Sequence, residues 1–135
     1  MRPKILIVDD ETPIRTLLRS AVASPGITVF DADGGIGALE IAAREAPFDL
    51  VITDVLMPGM DGFELAQRLQ RAGHATNFLF LSGYFDADDM ERRLSEFSGA
   101  AFLSKPFPIV EFIQSVRRLL APPASVAGAA QRRPA

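Results

Sequence analysis

The sequence has no cysteine, little net charge and no long hydrophobic run. A chain without cysteine can form neither a disulfide framework nor a thiolate metal site. The formal net charge of −3 provides no basic surface for nucleic acid. The apolar runs are far shorter than a membrane span, and Met1 to Lys4 leads directly into a predicted strand instead of a signal peptide. We therefore expect a cytoplasmic protein that binds neither nucleic acid nor a membrane.

The 135 residues contain enough apolar material for one folded domain, with 48% hydrophobic residues and ten Phe. Short apolar, β-branched runs alternate with segments in which apolar residues recur at helical spacing. This alternation predicts an α/β domain in which five helices flank a five-stranded parallel sheet. The predicted strands are Lys4 to Val8, Ile27 to Phe30, Leu50 to Thr53, Asn77 to Leu81 and Ala101 to Ser104.

The composition changes after the last predicted helix. Residues 122–135 consist mainly of Ala, Pro, Ser, Gly and Arg and show no apolar periodicity. Such a segment cannot bury enough apolar surface to offset the entropy lost on ordering. We therefore predict one domain over residues 1–121 and a disordered tail over residues 122–135.

Polar side chains follow four of the predicted strands. They are Asp9 and Asp10 after the first strand, Asp54 after the third, Ser82 after the fourth and Lys105 after the fifth. Each alone has a structural explanation, such as an acidic residue favouring a helix N-terminus. Because the carboxyl ends of parallel strands meet at one edge of a sheet, we expect these side chains to lie together. Clustered carboxylates repel one another, and a hard divalent cation such as Mg²⁺ would offset that repulsion.

Four motifs contain these residues in chain order, each at its own strand end. They are Val8-Asp9-Asp10, Asp54 with Met57 to Gly62, Leu81-Ser82-Gly83, and Lys105-Pro106-Phe107. With these motifs the chain resembles, from about Lys4 to Leu120, the receiver domain of two-component response regulators. It is similar both to stand-alone receivers and to those of hybrid histidine kinases. The resemblance implies a flavodoxin-like, doubly wound sheet with strand order 2-1-3-4-5, in which the first and third strands bring the three aspartates together.

The resemblance also implies a role for each site residue. Asp54 corresponds to the phosphoacceptor, which receives a phosphoryl group from a histidine kinase or histidine phosphotransfer protein and forms a mixed acyl phosphate. Asp10 and Asp54 resemble the direct Mg²⁺ ligands, together with the backbone carbonyl of Leu56. Asp9 resembles a ligand that acts through water, and Lys105 resembles the partner of the phosphoryl group. Such a domain catalyses only its own phosphorylation and dephosphorylation, so it is not expected to be an enzyme.

A switch is implied as well. The Ser82 hydroxyl would move toward the new phosphate, and Phe102 takes the place of an aromatic residue that is often Tyr. The surface that changes would be formed by the fourth helix, fifth strand and fifth helix, which would bind a downstream protein or a second copy of the chain. Leu56 and Tyr84 occupy positions that tune phosphoryl lifetime in the family, and both are bulky. The Lys105–Pro106 peptide bond is expected to be cis.

Two alternatives remain open from the sequence. The segment from Val29 to Gly34 resembles the nucleophile loop of haloacid dehalogenase-like phosphatases, with Asp31 and Asp33 as its acidic residues. Gly35, however, stands where that superfamily has Thr or Val, and Glu111 is alone where an acidic pair is needed. The second alternative is a pseudo-receiver, an interaction module that is not phosphorylated. Such a protein would normally have lost one of the acidic residues or the lysine.

Overall fold

A five-stranded parallel sheet organises the computed structural model, which describes residues 2–83 and 86–121. Its strands are β1 (Lys4–Val8), β2 (Thr28–Ala32), β3 (Leu50–Asp54), β4 (Asn77–Ser82) and β5 (Gly99–Ser104). The helices are α1 (Thr12–Val22), α2 (Gly35–Glu45), α3 (Gly62–Arg71), α4 (Ala87–Leu94) and α5 (Ile109–Leu120). The strand order is β2-β1-β3-β4-β5, with every pair parallel. The predicted flavodoxin-like fold, including its strand order, is confirmed.

The burial of the strands follows from this order. The central strands β1, β3 and β4 are covered on both faces, and every residue of β3 is buried. That is why they read as continuous apolar runs and not as alternating ones. The edge strands β2 and β5 are only half-buried.

Two hydrophobic cores hold the helices against the sheet. On one face, residues of α2, α3 and α4 enclose an aromatic cluster, in which Phe63, Phe78, Phe80 and Phe97 contact one another. On the other face, α1 and α5 pack against the aliphatic side chains of β1, β3 and β4. Complete burial of one large apolar side chain contributes about 1.5–3 kcal/mol. These cores fix the strand ends on which the polar residues lie.

The strand ends differ slightly from prediction. Asp54 is the last residue of β3, and Ser82 is the last residue of β4, whereas we expected each strand to end one residue earlier. Asp54 stays in the sheet because it is in register with Leu81 of β4. Strand β5 begins at Gly99, two residues before the predicted start. These shifts place Asp54 and Ser82 on rigid backbone.

Two of the predictions fall on residues that the structure does not describe. The predicted tail at residues 122–135 and the side chain of Tyr84 lie outside the described residues. Within residues 2–83 and 86–121, no helix is both long enough and apolar enough to cross a membrane.

Candidate functional site

Three carboxylates meet at the carboxyl edge of the sheet. Asp9 and Asp10 directly follow β1, and Asp54 ends the neighbouring strand β3. One carboxylate oxygen from each of the three lies within 4.8 Å of the others. Asp9 is fully buried, Asp54 is nearly so, and Asp10 is exposed. The structure therefore brings together the three aspartates that the sequence predicted would converge.

Lys105 faces this cluster from the segment that follows β5. Its Nζ lies 3.2 Å from Oδ2 of Asp54, 3.4 Å from Oδ2 of Asp9 and 3.9 Å from Oε1 of Glu11. The Lys105 backbone N–H donates to the carbonyl of Ser82 at 2.8 Å, which fixes the start of the lysine side chain beside β4. The Lys105–Pro106 bond is cis, as predicted. The ammonium group thus lies between the two buried carboxylates.

Burial and charge shape the ionisation of this site. Burial raises the pKa of the Asp54 carboxyl above its ordinary value, and repulsion from Asp9 adds to this, although the Lys105 ammonium and the Leu56 backbone N–H oppose it. Burial alone would lower the pKa of Lys105, but the charges of Asp54 and Asp9 outweigh burial and raise it. The Lys105 shift therefore reports the negative charge of its two carboxylate partners, whereas the Asp54 shift reports chiefly the burial of its carboxyl.

The cluster suits a hard divalent cation. All the side-chain donors are carboxylate oxygens, and they are close enough to hold one metal ion. Mg²⁺ prefers oxygen ligands and keeps several waters, so it needs only one or two carboxylates from the protein. Asp10, which is exposed, and Asp54 would be reached from solvent without opening the core.

The three other residues singled out from the sequence lie around Asp54. Ser82 is fully buried at the end of β4, opposite Ser104 of β5. Phe102 is partly buried in β5 and packs against the aromatic core. The Leu56 side chain is 62% exposed, two residues beyond Asp54. These positions are compatible with the roles that the resemblance implies.

Asp61 has a structural role instead. Its carboxylate accepts a hydrogen bond from the backbone N–H of Glu64 at 2.9 Å, so it is the N-cap of α3. The next residue, Gly62, contacts the backbone of β3, because a Cβ there would overlap the carbonyl of Asp54. Asp61 and Gly62 therefore fix the turn after β3.

Asp31, the residue that suggested a phosphatase, has a different environment. Its two carboxylate oxygens accept from Nε of Arg15 at 3.1 Å and from Nη1 of Arg19 at 2.9 Å. Two guanidinium groups thus offset the charge of Asp31, whereas Asp54 is paired with the single ammonium of Lys105. The contact of these two arginines with Asp31 was not predicted from the sequence. Their spacing of four residues indicates only that they lie on one face of α1, not which carboxylate they bind.

Comparison with known proteins is consistent with this geometry. The chain matches the response regulator receiver domain family model over residues 5–117. It is 36% identical over 120 residues to sporulation initiation phosphotransferase F of Bacillus subtilis, covering 89% of this chain and 95% of that protein. Identity to the sensor kinase CckA of Brucella abortus is 36% over 117 residues, covering 86% of this chain but 12% of the kinase. The structure matches the chemotaxis response regulator CheY4 of Vibrio cholerae with a TM-score of 0.79 and 29% identity, covering 89% of this chain and all of that one.

The relatives differ greatly in length. The chain spans nearly all of the sporulation protein but about half the length of several other curated relatives. What they share with it is this one domain, which takes phosphoryl groups from histidine kinases or phosphotransfer proteins. The matched region contains the five strands, apart from Lys4 at the start of β1, and the acidic cluster. The chain therefore belongs to the response regulator receiver domain family of two-component signalling systems.

Proposed function

We propose that this receiver accepts a phosphoryl group on Asp54 from the phosphorylated histidine of a histidine kinase or histidine phosphotransfer protein, with Mg²⁺ bound. One observation carries the proposal. The buried Asp54 carboxylate lies 3.2 Å from the Lys105 ammonium and within 4.8 Å of ligand oxygens of Asp9 and Asp10. A carboxylate nucleophile, a cation site and a positive partner for the phosphoryl group therefore coincide.

The proposed step is a displacement at phosphorus. An Asp54 carboxylate oxygen attacks, an O–P bond forms, and the P–N bond to the donor imidazole breaks. The leaving imidazole nitrogen takes a proton from solvent, and the product is a mixed acyl phosphate. Lys105, held beside Asp54, offsets negative charge on the phosphoryl oxygens. A bound divalent cation would supply further charge neutralisation, held by Asp10, Asp54 and the Leu56 carbonyl, with Asp9 acting through water.

The proposed catalysis is limited to this domain's own acyl phosphate, its formation and its hydrolysis. The phosphorylated histidine is the donor for its formation and water is the acceptor in its hydrolysis, and the exposed Leu56, two residues beyond Asp54, is proposed to tune the rate of that hydrolysis. We place the reaction in the cytoplasm, in keeping with a chain that has no cysteine to oxidise.

Output is proposed to run through Ser82 and Phe102. The Ser82 hydroxyl, buried beside β5, would donate to a phosphoryl oxygen on Asp54 and free space for Phe102 to rotate inward. Complete burial of that ring contributes about 1.5–3 kcal/mol, enough to shift a two-state equilibrium about tenfold or more. The surface formed by α4, β5 and α5 would then bind a downstream protein or a second copy of the chain.

Intact-protein mass spectrometry after incubation with acetyl phosphate tests the phosphoacceptor role. The parent should gain one phosphate group with Mg²⁺ and none with EDTA, and the Asp54→Asn variant should gain none under either condition. A parent that gains no phosphate with Mg²⁺ would support the pseudo-receiver alternative. Equal labelling of parent and variant would remove Asp54 from the proposal.

A further inference from the structure

We infer that Arg15 is a positioning residue for the divalent-cation site, an inference that rests on the proposed function. Its Nη1 donates to the backbone carbonyl of Asp9 at 2.7 Å, while its Nε donates to Oδ2 of Asp31 at 3.1 Å. The Arg15 side chain is only 16% exposed. One guanidinium therefore joins β2 to the peptide that leads from Asp9 into Asp10.

This peptide determines where the Asp10 carboxylate lies. The backbone N–H of Asp9 donates to the carbonyl of Ala32 at 3.2 Å, and the Asp9 carboxylate accepts from the backbone N–H of Glu11 at 2.8 Å. Asp10 itself is exposed, and within residues 2–83 and 86–121 no side-chain hydrogen bond or ion pair restrains its carboxylate. The backbone therefore sets the direction of its Cα–Cβ bond and so the region that the carboxylate can reach, and Arg15 fixes the carbonyl next to it.

The geometry requires an arginine. A guanidinium is planar and presents donors in a fixed fork, so it can bond the Asp9 carbonyl and the Asp31 carboxylate at once. A lysine ammonium at this position would keep the positive charge but would not donate to the Asp9 carbonyl and the Asp31 carboxylate at the same time. Arg15 also has its Nη2 at 3.4 Å from the hydroxyl of Thr12, which restrains the fork further.

Arg19 is a matched control within the same cluster. Its Nη1 donates to Oδ1 of Asp31 at 2.9 Å, so it forms an ion pair with the same carboxylate as Arg15. Its side chain is 47% exposed, and its described hydrogen bonds do not reach the Asp9 carbonyl. Replacing either arginine removes one positive charge and one bond to Asp31, but only Arg15 restrains the peptide before Asp10.

The sign of the effect separates positioning from charge. Loss of a positive charge near the site would by Coulomb attraction alone strengthen binding of a cation. Loss of a positioning contact weakens it, and residues that orient metal ligands typically change metal affinity by about 10–100-fold when replaced. Arg15→Ala should therefore weaken Mg²⁺ binding although it makes the site more negative.

Calorimetric Mg²⁺ titration of the full chain tests the inference with the parent, Arg15→Ala, Arg15→Lys and Arg19→Ala. We expect the Mg²⁺ Kd to rise about tenfold in Arg15→Ala, to rise less in Arg15→Lys, and to stay the same or fall slightly in Arg19→Ala. The amide resonance of Glu11 should shift in both Arg15 variants and stay in place in Arg19→Ala. If Arg15→Ala binds Mg²⁺ as tightly as the parent, the inference is wrong and the proposed function stands.

Two other outcomes also decide the question. A parent that binds no Mg²⁺ overturns both the inference and the proposed function. If Arg15→Ala does not fold, Arg15→Lys decides, because that variant keeps the charge. Parent-like affinity together with a parent-like Glu11 resonance in Arg15→Lys would overturn the need for the guanidinium fork.

Discussion

Two aspartates near the carboxyl edge of the sheet, on the strands that flank β1, have surroundings of opposite charge. Asp31 in β2 lies between the guanidinium groups of Arg15 and Arg19, so one carboxylate faces two cations. Asp54 in β3 faces one ammonium, that of Lys105, and shares its site with two further carboxylates. The first group of charges has a positive excess, and the second has a negative excess.

One sheet edge therefore carries both a carboxylate paired with two arginines and a carboxylate that shares its site with two others. The charge of Asp31 is offset within the protein, which is why we propose Asp54 and not Asp31 as the phosphoacceptor. Asp54 has one cationic partner, and the pKa of its carboxyl is raised, by burial first and by repulsion from Asp9 second. A divalent cation would supply the positive charge that the protein itself does not provide there.

Replacing Asp10 should have the largest effect on cation binding. Asp10→Ala removes one carboxylate from the negative cluster, and loss of a direct ligand should raise the Mg²⁺ Kd by more than about tenfold. Asp33→Ala is the control, because Asp33 is an exposed acidic residue just after β2, on the Asp31 side. Calorimetric titration should show parent-like affinity for the control. Equal loss in the two variants would mean that overall charge, and not the cluster, binds the ion.

Replacing the glycine beyond β3 by alanine should lower the free energy of unfolding more than replacing the glycine beyond β2. Gly62→Ala should lower the free energy of unfolding by about 1–3 kcal/mol, because the new Cβ would overlap the backbone carbonyl of Asp54. Gly34→Ala, at the N-cap of α2 beyond β2, should cost less than about 1 kcal/mol, since no heavy atom lies within 4 Å of its Cβ position and only the N-cap preference of glycine over alanine is lost. Urea unfolding measures both. Similar values for the two variants would show that the backbone at Asp54 is no more constrained than that at β2.

Phosphorylation of Asp54 should change the surface formed by α4, β5 and α5 by way of Phe102 in β5. Phe102→Ala should leave phosphorylation of Asp54 intact and weaken its effect on the surface of α4, β5 and α5 by about tenfold, if ring burial supplies the switch. The shift of α5 amide resonances on addition of acetyl phosphate and Mg²⁺ measures this effect. Leu17→Ala on α1, also a truncated apolar side chain, is the control. If Phe102→Ala responds like the parent, Phe102 has only a packing role.

Without metal, removal of the two charges should change stability in opposite directions. Because the pKa of Asp54 is raised, its stabilising contribution is complete below its ordinary value of 3.8 and is lost as pH rises through the folded-state pKa. Asp54→Asn should therefore increase the free energy of unfolding at neutral pH. Asp31→Asn should decrease it by about 1 kcal/mol, because two partly exposed ion pairs are lost. Urea unfolding in EDTA should show the two signs, and changes of the same sign would contradict the contrast.

The placement of Asp54 at the carboxyl edge of the sheet was predictable, because the ends of the strands can be recognised in the sequence. Each apolar run stops at a polar residue, and parallel strands place those ends at one edge; the strand order that makes Asp9, Asp10 and Asp54 neighbours was implied by the family resemblance. The turn role of Asp61 was also predictable, since its type and position favour an N-cap. The functional assignment came from the family resemblance, which the match over residues 5–117 confirms at the level of the domain.

The Asp31 side was not predictable in the same way. Arg15 and Arg19 are long side chains on a helix whose rotation against β2 is set by the whole core, so their partner cannot be read from local sequence. The continuation of β3 through Asp54 depends on its pairing with Leu81, a contact distant in the chain. The Asp31 motif therefore resembles a phosphatase nucleophile loop in the sequence, whereas the structure shows its carboxylate paired with two arginines.

Locating the phosphoryl group tests the central claim most directly. The parent is treated with acetyl phosphate and Mg²⁺, the acyl phosphate is reduced with borohydride, and the modified residue is identified by peptide mass spectrometry. The account predicts modification at Asp54, none at Asp31, and loss of the signal when EDTA replaces Mg²⁺. Modification at Asp31, or at Asp54 to the same extent without a divalent cation, would contradict it.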